Sequence, residues 1–391
     1  MVQTAKPGKR PINRPILILG TGLFLLGFWP LTAAEITIPE IEMASRGKVE
    51  DKEFVLTSVI SADLALSGGY KYSFLLGFSL DVNYIPDRPD NQAAFAFRIA
   101  KATAHDLFDL PLELSYFFGS DDNFCTGDEF LFRFGVSSFG TEFRGFFYFP
   151  EGIGGNLTRR YNGIYGVNGT GLSLALTKWD TVIPMLYIYQ DFAGFWNVNG
   201  GIFPLEKMYS GDLRLLLHHN WLQLDTFGGI TLKNTMDLSV RGGIMVHMAG
   251  NGSEFFAQGG IPGWNTGEKF KGDNIFFLIE PRLHFDSFSV IVTFFYHPWE
   301  YIHVVTDKER GKADLNIKFR FGKANSGLTW GIETGGTVKI DGFENFSSHI
   351  SPFVSLISGG LKWDAKIRIK PQEYDIPMEM VELFIGVRTA F

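Results

Sequence analysis

From Tyr70 to Tyr84 the chain alternates without a break. Tyr70, Tyr72, Phe74, Leu76, Phe78, Leu80, Val82 and Tyr84 fall on one side of an extended backbone, and Lys71, Ser73, Leu75, Gly77, Ser79, Asp81 and Asn83 on the other. A repeat of two residues is the period of a β-strand, whose successive side chains point to opposite faces. The apolar side is also graded, with tyrosines at both ends and phenyl or aliphatic side chains between them. Alternation alone suits any half-buried strand, but this grading is the profile of a bilayer, apolar in the middle and bordered by amphipathic rings. The same period runs through Ala313 to Phe321, where Leu315, Ile317, Phe319 and Phe321 oppose Asp314, Asn316, Lys318 and Arg320. In Leu361 to Ile369 the set Leu361, Trp363, Ala365, Ile367 and Ile369 opposes Lys362, Asp364, Lys366 and Arg368. Weaker stretches that read as strands include Phe130 to Val136, Phe143 to Phe149, Leu213 to His219, Leu222 to Ile230, Ile275 to Phe285 and Phe288 to His297.

A charge at every second position cannot face lipid, where each Lys or Arg near the midplane costs about 2–4 kcal/mol. Those faces therefore need water, and the apolar faces opposite them need lipid. No apolar run after Trp29 approaches the ~18 residues of a transmembrane helix. Hydrocarbon tolerates only helices and closed sheets, so the pattern predicts an all-β transmembrane antiparallel β-barrel. With ~10 residues per strand plus turns, the length accommodates about 16 strands, within a range of about 14 to 18. The 45 Gly, 39 Phe and 13 Tyr among 391 residues suit strands with aromatic surfaces. In the C-terminal half, short turns at Asp286-Ser287, Gly322 to Gly327 and Ser358-Gly359-Gly360 alternate with longer connections at Ala249 to Asp273, Pro298 to Lys312, Asp341 to His349 and Lys370 to Met378. The first half leaves two readings open: Asn220-Trp221 is either a tight turn on the outer side or part of one long strand.

The chain ends on a further alternating stretch, with Val381, Leu383, Ile385, Val387 and Phe391 opposing Glu382, Phe384, Gly386, Arg388 and Ala390. This segment, with its terminal aromatic carboxylate, resembles the closing strand of bacterial outer-membrane β-barrel proteins, and departs from them at Thr389, where they usually carry an aromatic or apolar residue. The resemblance is porin-like without pointing to a closer family. It implies a bacterial outer-membrane location, outer-membrane lipid as surroundings, and insertion by the barrel-assembly machinery with Phe391 as a targeting element. The N-terminus agrees: Lys6, Lys9, Arg10 and Arg14 precede an apolar stretch from Pro15 to Trp29 and small residues up to Ala34, the layout of a secretory signal peptide. The expected organisation is a signal peptide over 1–34, a short periplasmic segment over 35–52, and the barrel over 53–391.

Composition narrows the chemistry. Cys125 is the single cysteine and cannot form an intramolecular disulfide or a Cys-rich metal site, so no metal or other cofactor is expected. A formal charge of −7 argues against a nucleic-acid partner. Some outer-membrane barrels are enzymes, but the His-x-Ser-Asn-Gly stretch of outer-membrane phospholipases is missing from the sequence. His218 and His219 point to opposite faces of a strand, adjacent Ser347, Ser348 and His349 point apart, and Asp121-Asp122 reads as a solvated acidic loop. No nucleophile, base and orienter converge, so an enzyme is not expected. The loop Gly152 to Gly171 leaves two readings open, an inward constriction or a cover. Four Asn-x-Ser/Thr sequons read as ordinary loop polarity after bacterial export.

The inward charges carry the functional expectation. Arg282, Lys318, Arg320, Lys362, Lys366 and Arg368 form a basic wall, with the acids Glu280, Asp314, Asp364 and Glu382 among them. Tyr70, Tyr72, Phe74, Leu76, Phe78 and Leu80 are the expected membrane-facing set. Eight strands are just filled by side chains, whereas about sixteen leave a channel unless something plugs it. The expectation is a channel for passive or weakly selective diffusion of small polar or anionic solutes. A salt-bridged, filled barrel and a structural or adhesive surface barrel are alternatives. So is a transporter of hydrophobic molecules, since Leu75, Phe146, Tyr148, Ile291 and Phe295 also fall on the inner side.

Overall fold

The computed structural model describes residues 34–84, 92–143, 163–191, 208–233, 237–297, 312–322, 327–339, 346–375 and 377–389. The expected signal peptide and Phe391 lie outside these residues. Within them the chain forms one 18-stranded sheet, the upper end of the predicted range. The strands are β1 (Glu35–Glu50), β2 (Glu53–Gly69), β3 (Tyr72–Tyr84), β4 (Gln92–Ala104), β5 (Leu112–Phe124), β6 (Tyr165–Leu176), β7 (Val182–Asp191), β8 (Met208–His219) and β9 (Leu222–Lys233). They continue with β10 (Leu238–Gly250), β11 (Ser253–Asn265), β12 (Phe276–Phe285), β13 (Phe288–His297), β14 (Lys312–Phe321), β15 (Leu328–Lys339), β16 (Phe346–Ser358), β17 (Leu361–Ile369) and β18 (Val381–Thr389). Each pairs antiparallel with the next, and β18 returns to β1 through Lys48↔Glu382 to Glu42↔Arg388. The ring of strands is closed, and this closure is what allows a sheet to stand in hydrocarbon.

Three sequence expectations are corrected. Residues 35–50, read as part of a short periplasmic segment ahead of the barrel, are β1 and close the barrel. The connection Ala249 to Asp273 contains β11, so its long stretch is a strand preceded by a two-residue turn at Asn251-Gly252. Phe130 to Val136 is not a strand: Glu129–Phe134 is a short helix, α1, ended by Gly135 in the left-handed region at φ 66°.

Both ends of the described chain lie at one rim. Connections at that rim are 70–71, 105–111, 177–181, 220–221, 251–252, 286–287, 322–327 and 359–360, while the opposite rim carries the long ones, among them 125–164, 192–207, 298–311 and 370–380. Barrels put short turns at the periplasm and long loops outside, so the start of β1 and the end of β18 face the periplasm. Asn220-Trp221 is a tight turn on this periplasmic rim, joining β8 to β9, which settles the strand parity.

The two faces of the wall invert the arrangement of a soluble protein. Outward-pointing Phe95, Tyr116, Ile188, Leu213, Ile230, Leu283, Trp330, Val354 and Ile385 are exposed around the whole circumference, whereas Asp212, Arg214, Asp225, Glu280 and Arg320 are buried inside. An apolar girdle of that extent requires lipid, and no helix among the described residues is long and apolar enough to cross a membrane. The chain is a transmembrane β-barrel of the bacterial outer-membrane kind.

One hairpin leaves the wall. β5 pairs with β4 only as far as Ile99↔Gly119, yet continues beside β6 to Phe124↔Tyr165, with a register shift between Ser120 and Asp122. Gly119 sits at φ +110°, where a Cβ would lie 2.1 Å from the Arg98 carbonyl oxygen. Only glycine tolerates both the dihedral and the approach, and the bulge bends the strand. Beyond this point the β5–β6 tip turns into the lumen, where the Phe124 ring meets Phe227 of β9 with centroids 4.9 Å apart.

Candidate functional site in the lumen

The segment after β5 crosses the barrel interior. The backbone N–H of Cys125 donates to Asp225 Oδ2 at 2.7 Å, and Gln258 donates to the Cys125 carbonyl. Arg133 of α1 donates to Glu129 at 2.8 Å and also to Glu113. Phe134 packs beside His218 at 5.3 Å, and Phe139 stacks on His247 at 4.4 Å and 18°. The segment then reaches β12, where the Thr141 hydroxyl and the Glu142 N–H donate to Glu280 at 2.6 and 2.9 Å, and Arg282 donates to the Gly140 carbonyl. Its carboxylate, Glu142, accepts from Lys318 Nζ at 3.2 Å and Arg320 Nη1 at 2.9 Å on β14. Burial works against a charge on Glu142, which lies between strands, but Lys318 and then Arg320 hold its carboxyl well below the usual carboxylate range.

Two buried arginines fasten the hairpin and its neighbours. Arg214 donates through Nε and Nη2 to Asp225 at 3.0 and 2.7 Å and through Nη1 to Asp122 at 2.6 Å, with its guanidinium 5.0 Å from the Phe124 ring centre. Tyr187 also donates to Asp122. Arg241 makes a bidentate pair with Asp212 at 2.7 Å for both bonds and lies 4.2 Å from the Tyr165 ring centre. Around them a hydrophobic cluster drawn from β5 to β13 and the crossing segment includes Phe117, Phe124, Phe130, Tyr187, Phe256 and Phe295. One side of the lumen is therefore packed.

The predicted wall residues divide between this packed side and the arc opposite it. Glu280 and Arg282 pair with each other at 2.6 Å and belong to the packed side, as anchors of the crossing segment. Lys318 and Arg320 meet Glu142. Lys366 pairs with Glu333 at 3.0 Å, and Arg368 lies 3.9 Å from Glu382, which also accepts from Lys370 at 2.7 Å. Asp364 accepts from Ser355 and lies 3.8 Å from Arg388, and Asp314 is buried on the inner face of β14. Lys362 sits beside Asp364 on the same face of β17, across from Arg388.

Tyr72, Phe74, Leu76, Phe78 and Leu80 lie on the outer face of β3, opposite Ser79 and Asp81, and Asp81 accepts from inward Ser61. Tyr70 belongs to the β2–β3 turn rather than to the strand, and is 94% exposed. Asp121 and Asp122 are not a solvated loop: they lie within β5, paired with Lys101 at 2.7 Å and Arg214 at 2.6 Å. His218 and His219 take opposite faces, as expected, the first against Phe134 and the second against Trp221. Ser348 bonds outward to Gln372 while His349 turns inward to 3.8 Å from Glu333. Of the loop Gly152 to Gly171, residues from Tyr165 onward are β6, and 152–162 lie outside the described residues. Phe146 and Tyr148 lie outside them as well, whereas Ile291 and Phe295 are inward and only 1% and 0% exposed. Among the described residues no group of three or more His, Cys, Asp or Glu is placed to hold a metal.

No family model and no curated protein matches this chain. Among solved structures, a mutant of the Rh. blastica porin aligns at 11% identity and a TM-score of 0.45, covering 91% of this chain and 100% of that one. Pseudomonas aeruginosa OccD3 aligns at 7% identity and 0.47, covering 91% and 92%. Salmonella typhi OmpF, solved with daunomycin, aligns at 8% and 0.46, covering 92% and 97%. At such scores and identities no property of these proteins transfers to this chain, whose barrel rests on its own ladders.

Proposed function

We propose that the chain is an outer-membrane channel for passive diffusion of small polar solutes, with a preference for anions. The observation that carries this is the one-sided filling of a wide barrel. Eighteen strands enclose more space than wall side chains fill. Among the described residues, the crossing segment bonds or stacks with β5, β8 to β12 and β14, and the hydrophobic cluster comes from β5 to β13. The remaining arc presents polar and charged side chains. On the inner faces of β15 to β18 and β1, Lys362, Lys366, Arg368, Arg388, Arg46 and Lys48 outnumber Glu333, Asp364, Glu382, Glu40 and Glu42. Such a wall raises the local concentration of anions. Ile291 and Phe295, which favoured a path for hydrophobic molecules, are instead consumed by packing.

The test is conductance of the refolded protein in a planar bilayer under a salt gradient. Chloride preference is expected at 0.1 M salt, fading toward 1 M as the Debye length falls from ~10 to ~3 Å. Lys362→Glu should move the reversal potential toward cations. A barrel that passes no current ends the channel reading. One that conducts but prefers cations ends the anion preference alone.

A further inference from the structure

The ion pairs of Glu142 have an unusual origin. Lys318 and Arg320 stand on the wall, but the acid they hold comes from the crossing segment, 176 and 178 positions away in sequence. The wall offers them little else. Glu333, the cross-strand neighbour of Lys318, is engaged by Lys366 at 3.0 Å, and the neighbours of Arg320 in register are Ser289 and Gly331. Lys362 stands beside Asp364 and across from Arg388 on the wall, with Lys318 and Glu142 further out in its electrostatic surroundings, and among the described residues it makes no ion pair or side-chain hydrogen bond. Arg320 Nε is buried without a partner. Glu142 thus satisfies only part of a donor set that it occupies.

We propose that Lys318, Arg320 and Lys362 form a binding site for a phosphate-type dianion, and that the Glu142 carboxylate is a tethered substitute which such an anion displaces. A carboxylate has two oxygens, and that of Glu142 places one on Lys318 and the other on Arg320. A tetrahedral oxyanion carries more oxygens and more charge. It can take the Nε and Nη edge of Arg320 bidentately, as guanidinium favours, and still reach the ammonium groups of Lys318 and Lys362. Displacement requires only a side-chain rotation, because the backbone around Glu142 is held independently by Glu280 and Arg282. Arg282 itself is committed to Glu280 and Glu254. The proposal deepens the anion-channel reading, since a solute reaches this site through the lumen.

Equilibrium binding separates the two ideas. Inorganic phosphate is titrated calorimetrically into the refolded, detergent-solubilised full-length barrel at low ionic strength, with folding checked by heat-modifiable migration. Removing the internal competitor with Glu142→Gln should tighten phosphate binding roughly tenfold, within the usual range of site-to-site coupling. Lys362→Gln, which leaves both pairs of Glu142 in place, should weaken it. Acetate, with one charge and two oxygens, should bind more weakly than phosphate in both proteins. Unaltered phosphate affinity in Glu142→Gln, indifference to Lys362→Gln, or acetate binding as tightly as phosphate would each overturn the proposal. A barrel that binds phosphate as expected but carries no current keeps the site and loses the channel. A conducting barrel blind to Glu142→Gln loses only the site.

Discussion

Arg214 is the residue on which the lumen packing depends most directly. Its guanidinium is fully enclosed and divided between Asp122, on the inward hairpin, and Asp225 on β9. Removing one member of a buried ion network leaves the other charges without compensation, at a cost of about 3–5 kcal/mol. Arg214→Met, similar in length and uncharged, is therefore expected to lower stability by about that amount, measured by urea unfolding from lipid vesicles. A loss within the ±0.5 kcal/mol typical of surface substitutions would mean that the hairpin is held by its aromatic contacts instead. None of this was legible locally. Asp121-Asp122 stands between Gly119-Ser120 and Asn123, residues that usually mark a turn, and the Arg214 that claims Asp122 lies 92 positions away. Alternation shows which side of a strand a charge takes. It contains nothing about which charge meets it across a lumen, so Glu142 carried no sequence signal.

At the scale of the element, legibility followed the contrast between faces. β3, β14, β17 and β18 set apolar against polar residues with little interruption, and each of the four is a strand of the barrel. β1 was hidden because Pro39 and a register shift between Thr37 and Glu40 interrupt its alternation. β11 was hidden because Gly259, Gly260, Pro262 and Gly263 give it the composition of a loop. α1 was misread because Phe130, Phe132 and Phe134 mimic a strand face, although Gly135 and the i, i+4 pair Glu129–Arg133 suit one helical turn. Where the contrast is strong it is also testable. Leu76, outward on β3 beside Leu66 and Ala100, lies near the middle of the apolar band. Leu76→Arg should destabilise the inserted barrel by about 2–4 kcal/mol and reduce the heat-modifiable form recovered from outer membranes. Normal recovery would mean that this face does not meet lipid.

For the whole molecule, the division of labour between wall and filling decides what the protein can do. The wall closes through hydrogen-bonded ladders between all neighbouring strands, and its apolar girdle is complete without the lumen segment. The inward turn of the hairpin is held by Arg214, Asp122 and Asp225, all of which precede or lie outside α1. Excising residues 129–139 and bridging the gap with a short Gly-Ser linker removes α1 and the Phe139 stack on His247 while sparing these anchors. The prediction is that the shortened protein still inserts and migrates as a folded barrel, and that its conductance rises severalfold, because an 18-stranded wall is too wide for its own side chains to fill. A shortened protein that never folds would make the segment part of the folding core. One that folds with unchanged conductance would mean that the segment does not narrow the path, and solutes would then have to pass along the basic arc from β15 to β1 without meeting it.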